Sequence, residues 1–288
     1  MNQSRERTTA AAPTLYLDRG EGRVAYDVQG PVDAPLVLCA PGMGDLRQLY
    51  RFTVPVLLEA GYRVATMDLR GHGESDATFT SFGDAAAASD LLALAQELGA
   101  TTDARAVLFG NSMCSAAAVI AAADRPDLLA GIVLAGPFVR NPPRTKVTSL
   151  KTLAMRLALM RPWGLASWLT YYAGLYPTSK PADFADYKAT MKASLKRPAH
   201  WRAFVATTTQ ATHALAEARL RGVRTPALVL MGTKDPDFKD PAAEAAFVGG
   251  TLSGDVVMVE GAGHYVMAEF PDVVNPRVLQ FVREVVGA

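Results

Sequence analysis

Val107-Leu108-Phe109-Gly110-Asn111-Ser112-Met113-Cys114-Ser115-Ala116 is the stretch on which the reading of this chain turns. An apolar run ends at Gly110, a serine follows two residues later, and an alanine-rich helical pattern comes after it. The order is strand, sharp turn, helix, with a hydroxyl at the tip of the turn. A serine placed there stands clear of its neighbours, and the first backbone N–H groups of the helix point towards whatever it attacks. Gly110 suits so tight a bend because a bulky side chain two residues before the serine would block it. Cys114 departs from the pattern G-x-S-x-G, in which glycine holds that position, but cysteine is small and leaves the turn open. Taken alone, Ser112 reads equally well as an ordinary residue at a helix N-terminus. The rest of the chain has to decide.

Outward from this turn, strands and helices alternate. Thr14–Leu17 and Arg23–Val28 read as short strands around a glycine-rich turn. Pro35–Ala40, Arg63–Asp68, Ala106–Phe109 and Leu129–Ala135 read as further strands. Several lack polar alternation, as expected of strands buried on both faces of a parallel sheet. Helical patterns fill Leu46–Ala60, Ala85–Leu98 and Ser112–Ala123. The rhythm stops at Asn141 and resumes with a strand at Thr225–Met231, a helix at Pro241–Phe247, a strand at Asp255–Val259 and a helix at Pro271–Val286. Such alternation predicts an α/β fold: a doubly wound, mostly parallel sheet with right-handed crossovers and helices on both faces. Residues 1–13 read as a mobile tail.

Composition narrows the class. In 288 residues, 50% are hydrophobic and 20% charged, which describes a folded protein with a sizeable core. Net charge is +1, so no nucleic-acid footprint is evident. Cys39 and Cys114 both lie in apolar runs and read as buried free thiols of a reducing compartment. The N-terminus shows no apolar signal core, and the longest apolar run, Leu128–Val139, is short and contains Gly136-Pro137. A cytoplasmic location without stable membrane insertion is expected. Oligomeric state is not legible.

In parallel sheets the ligand crevice lies beyond the carboxyl ends of the strands. Two loops in such places hold Gly232-Thr233-Lys234-Asp235-Pro236-Asp237-Phe238 and Glu260-Gly261-Ala262-Gly263-His264-Tyr265. With Ser112 they give the chain order serine, acid, histidine, each after a different strand. A Pro41-Gly42-Met43-Gly44 loop and the segment Asp68-Leu69-Arg70-Gly71-His72-Gly73-Glu74-Ser75 complete the set. In these motifs, and in their order over nearly the whole chain after the tail, the sequence resembles the α/β-hydrolase superfamily, in its serine hydrolase and esterase branch.

The resemblance implies an α/β-hydrolase core over 14–140 and 222–288, with a helical cap over 141–221. It implies Ser112 as nucleophile, His264 as general base and Asp235 as the acid that fixes the imidazole tautomer. Asp237 is the rival acid; Asp235 is preferred because the family's acid stands three residues after the glycine. Backbone N–H groups of Met113 and Met43 would form the oxyanion hole. Many relatives carry His-Gly where this chain has Pro41-Gly42, which changes the pocket wall while leaving the backbone donor. No cofactor or metal is expected, since His200 and His213 have no ligand-like spacing partners. His72 reads as part of a tight turn, Ser115 as packing, and Asn111 as either a pocket residue or one that tolerates a strained backbone. The expected reaction is hydrolysis of a carboxylic ester, lactone or thioester. The same triad could act as a base in C–C or cyanohydrin cleavage, or persist in a ligand-binding receptor. Serine rather than aspartate at the elbow disfavours the dehalogenase and epoxide-hydrolase chemistry.

Residues 141–221 carry Leu150, Leu153, Leu157 and Met160 at helical spacing, followed by Trp163, Trp168, Tyr171, Tyr172 and Tyr176. Core packing accounts for most of such a stripe, with some aromatic residues lining a pocket. From Asn141 to Arg224 there are fourteen Lys and Arg against three Asp and Glu. A solvated outer face is one reading; attraction of an anionic acyl substrate, carrier or surface is the sharper one.

Overall fold

The computed structural model describes residues 12–142 and 145–287. Eight strands form one sheet: β1 (Leu15–Asp18), β2 (Arg23–Gln29), β3 (Leu36–Ala40), β4 (Arg63–Met67), β5 (Ala106–Asn111), β6 (Leu129–Ala135), β7 (Ala227–Gly232) and β8 (Asp255–Val259). Their spatial order is β1-β2-β4-β3-β5-β6-β7-β8. β1 and β2 pair antiparallel, as do β2 and β4, and every pairing from β4 to β8 is parallel. The unalternating strands are the central ones: every residue of β3, β5, β6 and β7 is buried. They are covered on both faces, so neither face calls for polar residues. One face packs against Asp84–Glu97 and the elbow helix Met113–Asp124, the other against Val54–Glu59 and Pro271–Val286.

The elbow helix is alanine-rich for a packing reason. Residues 113–122 are all buried, because the helix is sandwiched between Asp84–Glu97, the sheet and Ala214–Leu220. Small side chains let three elements approach a helix that has no solvent face. Cys114 and Cys39 are buried free thiols, and burial pushes both thiol pKa values up. Both residues therefore pack as small hydrophobes.

Some expected elements differ, and the helix expected over Pro241–Phe247 runs on to Leu252. The pattern over 46–60 is two elements, a 3-10 turn Arg47–Tyr50 and a helix that begins at Val54. Pro55 has no N–H and fits only the first turn, so the helix restarts there. Ser112 is not helical: its φ of 57° and ψ of −121° place it outside the helix that starts at Met113. Of the tail 1–13, only Ala12 and Pro13 are among the described residues. Between β6 and β7 the chain runs through helices Lys146–Ala158, Gly164–Gly174, Phe184–Lys196, Pro198–Gln210 and Ala214–Leu220. No helix among the described residues is long and apolar enough to cross a membrane.

Strand order reverses at β3: the chain moves from β3 to β4 on one side, then to β5 on the other. A crevice forms at such a switch point, beyond the carboxyl ends of the strands. The loop after β3 is Pro41–Asp45 and the turn after β5 is Ser112. The two sequence motifs meet there.

Candidate active site

Ser112 occupies a left-handed backbone conformation that L-residues other than glycine rarely adopt. Its N–H donates to Ala135 O at 2.8 Å, and its carbonyl accepts from Ser115 N at 3.0 Å. These bonds hold the turn against its strain. Gly110 is required by close approach: a Cβ there would lie 2.2 Å from Cys114 O. Ser115 Oγ donates to Gly110 O at 3.0 Å and stitches the same bend, which bears out its packing role. The Pro41–Asp45 loop rests on the serine. A Cβ at Gly42 would stand 2.7 Å from Ser112 Cβ and 3.3 Å from its Oγ, so only glycine admits the loop this close. Met113 is the first residue of the elbow helix, where backbone N–H groups have no partner within the helix. Met43 lies in the turn closed by Asp45 N donating to Gly42 O.

The loops after β7 and β8 are cross-linked by backbone bonds: Thr233 N to Val259 O at 3.0 Å and Lys234 N to Ala262 O at 2.9 Å. His264 Nδ1 stands 2.7 Å from Asp235 Oδ2 and 3.8 Å from Asp237 Oδ2. The other Asp235 oxygen accepts the Asp237 N–H at 3.0 Å. Both Asp235 oxygens are thereby oriented, while the Asp237 carboxylate is taken up by the Tyr171 hydroxyl of the insertion. Burial would by itself lower the His264 pKa. The Asp235 carboxylate and its hydrogen bond outweigh burial and hold it up at about 9. Burial raises the Asp237 pKa against the pull of His264 and Tyr171.

Asn111 ties the parts together. It is fully buried, and its Nδ2 donates to Ala135 O at 3.1 Å and to His264 O at 3.4 Å. His264 N donates in turn to Leu175 O of the insertion at 3.0 Å. Ser112, Asp235 and His264 are all at most 7% exposed, so the site is nearly closed from solvent. A groove of about 590 Å³ lies instead at the amino ends of β3, β4 and β5, beside Ala34, Arg63 and Arg105, and holds none of these groups.

Ligand atoms of Asp235, Asp237 and His264 lie within 4.8 Å of one another, close enough to be tested as a metal cluster. The His264 nitrogen is already bonded to Asp235, and a Tyr171 hydroxyl occupies Asp237. That arrangement suits an oriented imidazole better than a cation cage. His213 is also paired, its N and Nδ1 both 2.8 Å from Asp84 Oδ2. His72 Nδ1 contacts Arg70 O at 2.9 Å, and burial lowers its pKa to about 4. It serves the turn.

Some of the surroundings are not legible in the sequence. Phe138 stacks on Phe238 with centroids 4.7 Å apart and lies 5.7 Å from the His264 ring. Asp45 is fully buried at the end of the loop after β3. It accepts from Leu46 N at 2.8 Å, from Tyr172 OH at 3.3 Å and from Tyr187 OH. Burial raises its pKa to about 6 despite these donors. The tyrosines come from helices Gly164–Gly174 and Phe184–Lys196, and Tyr172 also packs 5.0 Å from Tyr265, the neighbour of His264. A lone Asp after a glycine loop carries no signal of this; only the three-dimensional meeting of the helices reveals it.

An elbow serine, a buried His–Asp pair and a glycine loop at the switch point of this sheet define the α/β-hydrolase class. The model of the Alpha/beta hydrolase family matches residues 37–277, and the chain belongs to that family. It is 30% identical over 163 residues to a putative carbamate hydrolase RutD of Variovorax paradoxus, covering 56% of this chain and 59% of that protein. It is 27% identical to a 2-hydroxy-6-oxononadienedioate/2-hydroxy-6-oxononatrienedioate hydrolase of Burkholderia vietnamiensis, over 96% of this chain and 97% of that one. Among solved structures, a thermophilic esterase from Thermogutta terrifontis superposes with a TM-score of 0.74 at 22% identity, covering 96% of this chain and all of that one.

Proposed function

We propose that this α/β hydrolase cleaves a carboxylic ester, lactone or thioester through an acyl-Ser112 intermediate. The observation that carries the reading is the buried 2.7 Å contact between His264 Nδ1 and Asp235 Oδ2 in loops that follow adjacent strands. With Nδ1–H committed to Asp235, the lone pair of His264 is on Nε2. Nε2 takes the Ser112 proton as Oγ attacks the carbonyl carbon, then returns it to the leaving oxygen or sulfur. Met113 and Met43 N–H groups receive the developing oxyanion; one such donor is worth about 3–4 kcal/mol in the transition state. Water, deprotonated by the same nitrogen, releases the acid. Helices between 141 and 221 act as the cap that excludes bulk water and sets acyl size.

The relative from Burkholderia vietnamiensis favours a second reading. Its substrate, by name an enol, a ketone and two carboxylates, contains no ester, so its hydrolysis breaks a C–C bond next to the ketone. The same His264 and Ser112 could serve that reaction with Asn111 beside them.

The test is turnover of a p-nitrophenyl acyl ester against pH. An imidazole held at about 9 is largely protonated at neutral pH, and the base must be neutral to act. We expect kcat/KM to rise tenfold per unit through neutral pH and to level off near pH 9. Folded protein that turns over the enol-ketone dicarboxylate but no ester would move the assignment to the second reading. Ester turnover that survives His264→Ala in folded protein would contradict His264 as the base.

A further inference from the structure

Helix Lys146–Ala158 opens the insertion, and its described leucines, Leu150, Leu153 and Leu157, are exposed. Leu150, Leu153 and Leu157 recur at three- and four-residue spacing, which an amphipathic helix on a globular surface normally turns to the core. Here they and Met155, Met160 and Trp163 are between 41% and 66% exposed. From Leu153 to Ala158 every residue is exposed. Leu159 is buried and anchors the end of the helix, and the Trp163 indole donates to Leu157 O at 2.9 Å, so the indole stays beside the leucines. A contiguous apolar exposure of this extent marks an interaction surface.

Charge identifies the occupant. Between Asp127 and Asp183 the chain has no acidic residue, yet it carries Arg144, Lys146, Lys151, Arg156, Arg161 and Lys180, while Arg140 is paired with Glu244. Arg156 and Arg161 are exposed among the leucines. Farther along the insertion, Lys192, Lys196, Arg197 and Arg202 are exposed as well, so the basic excess faces outward. A second copy of this chain would bring the same positive charge to the contact. A nucleic acid would neutralise the charge and leave the leucines in water. A surface that is negative outside and apolar a few ångströms below satisfies both features.

We propose that helix Lys146–Ala158, with Trp163 at its end, docks reversibly on an anionic lipid bilayer. The helix lies in the plane of the headgroups, with its leucines among the upper acyl carbons and the exposed Arg156 and Arg161 on the lipid phosphates. This contact is peripheral and does not depend on the catalytic assignment of Ser112.

Vesicle co-sedimentation of the full chain tests it, with phosphatidylcholine alone against phosphatidylcholine containing about one-third phosphatidylglycerol. Each basic group near an anionic surface strengthens partitioning by about fivefold, so two alone predict at least a tenfold preference for the anionic vesicles at low salt. The preference should fall steeply at about 0.5 M salt. Trp168 and Trp201 are buried, so a blue shift of tryptophan emission on binding reports Trp163 and should vanish in Trp163→Phe. Leu150→Ser/Leu153→Ser/Leu157→Ser changes only exposed side chains and should abolish binding while thermal unfolding is unchanged. Equal or absent binding to the two vesicles would overturn the proposal. So would anionic binding that survives the triple substitution, or a dimer in light scattering that the triple variant abolishes without any vesicle binding.

Discussion

Asp235→Asn lowers kcat for an activated acyl ester by about 10⁴-fold with the fold intact, while Asp237→Asn lowers it by tenfold at most. The two carboxylates are two residues apart and both lie near His264, so proximity in sequence does not separate them. Geometry does. Asp235 Oδ2 is 2.7 Å from Nδ1 and Asp237 Oδ2 is 3.8 Å away, with its carboxylate engaged by Tyr171. An amide at 235 can present its NH₂ to Nδ1, which stabilises the tautomer with the proton on Nε2 and removes the base. It also removes the charge that holds the His264 pKa up, so the residual activity should reach its plateau at lower pH than in the wild type. At position 237 the amide would loosen a contact to the insertion and leave the Asp237 N–H bond to Asp235 in place. Steady-state kinetics of the two variants, with circular dichroism as the folding control, decides between them. Equal losses, or a larger loss at 237, would reassign the acid.

Arg47→Met destabilises the protein by about 3–5 kcal/mol, more than the usual effect of losing an ion pair, because it strands a buried charge. Arg47 is almost fully buried. It contacts Asp27 Oδ2 at 3.0 Å, Glu74 Oε2 at 2.5 Å and Asp68 Oδ2. Its backbone N–H donates to Asp68 Oδ1 at 2.8 Å. Asp68 is wholly buried, and burial raises its pKa even against the pull of Arg47. Without the guanidinium that carboxyl must ionise in an apolar site or bind a proton. Its loss also frees Glu74 Oε2, leaving the Leu69–Ser75 turn held to Asp68 by the Glu74 N–H at 3.0 Å. Chemical denaturation should show the full loss in Arg47→Met and a substantial recovery in Arg47→Met/Asp68→Asn, where the wholly buried carboxylate is gone and Glu74 is exposed while Asp27 keeps its Thr66 hydrogen bond. A double variant no more stable than the single one would show that the network acts through packing rather than charge.

The sheet could be read because its central strands are buried on both faces, a condition that imposes unbroken apolar runs such as Leu36–Ala40 and Leu129–Ala135. Ser112, Asp235 and His264 could be placed because each lies in the loop after a parallel strand, and the carboxyl ends of parallel strands share one edge of the sheet. The helix pattern from Leu46 misled, since apolar spacing persists across Thr53 while Pro55 forces a restart. Asp45, Arg47 and Phe138 were invisible for another reason. Their roles rest on partners 20 to more than 100 residues away, such as Tyr187 for Asp45, and no local pattern encodes a meeting of that kind. The exposed face of Leu150, Leu153 and Leu157 shows the converse case. Helical spacing predicts an apolar stripe correctly but cannot say whether the stripe meets a core or something outside the chain.

The central claim is that Ser112 is a nucleophile activated by His264 and Asp235, and covalent labelling tests it most directly. Wild-type protein treated with a fluorophosphonate should take up one phosphonyl group, located by mass spectrometry on the peptide containing Ser112. Ser112→Ala, folded to the same melting temperature, should take up none. Folded wild type that stays unlabelled, or equal labelling of the alanine variant, would contradict the assignment.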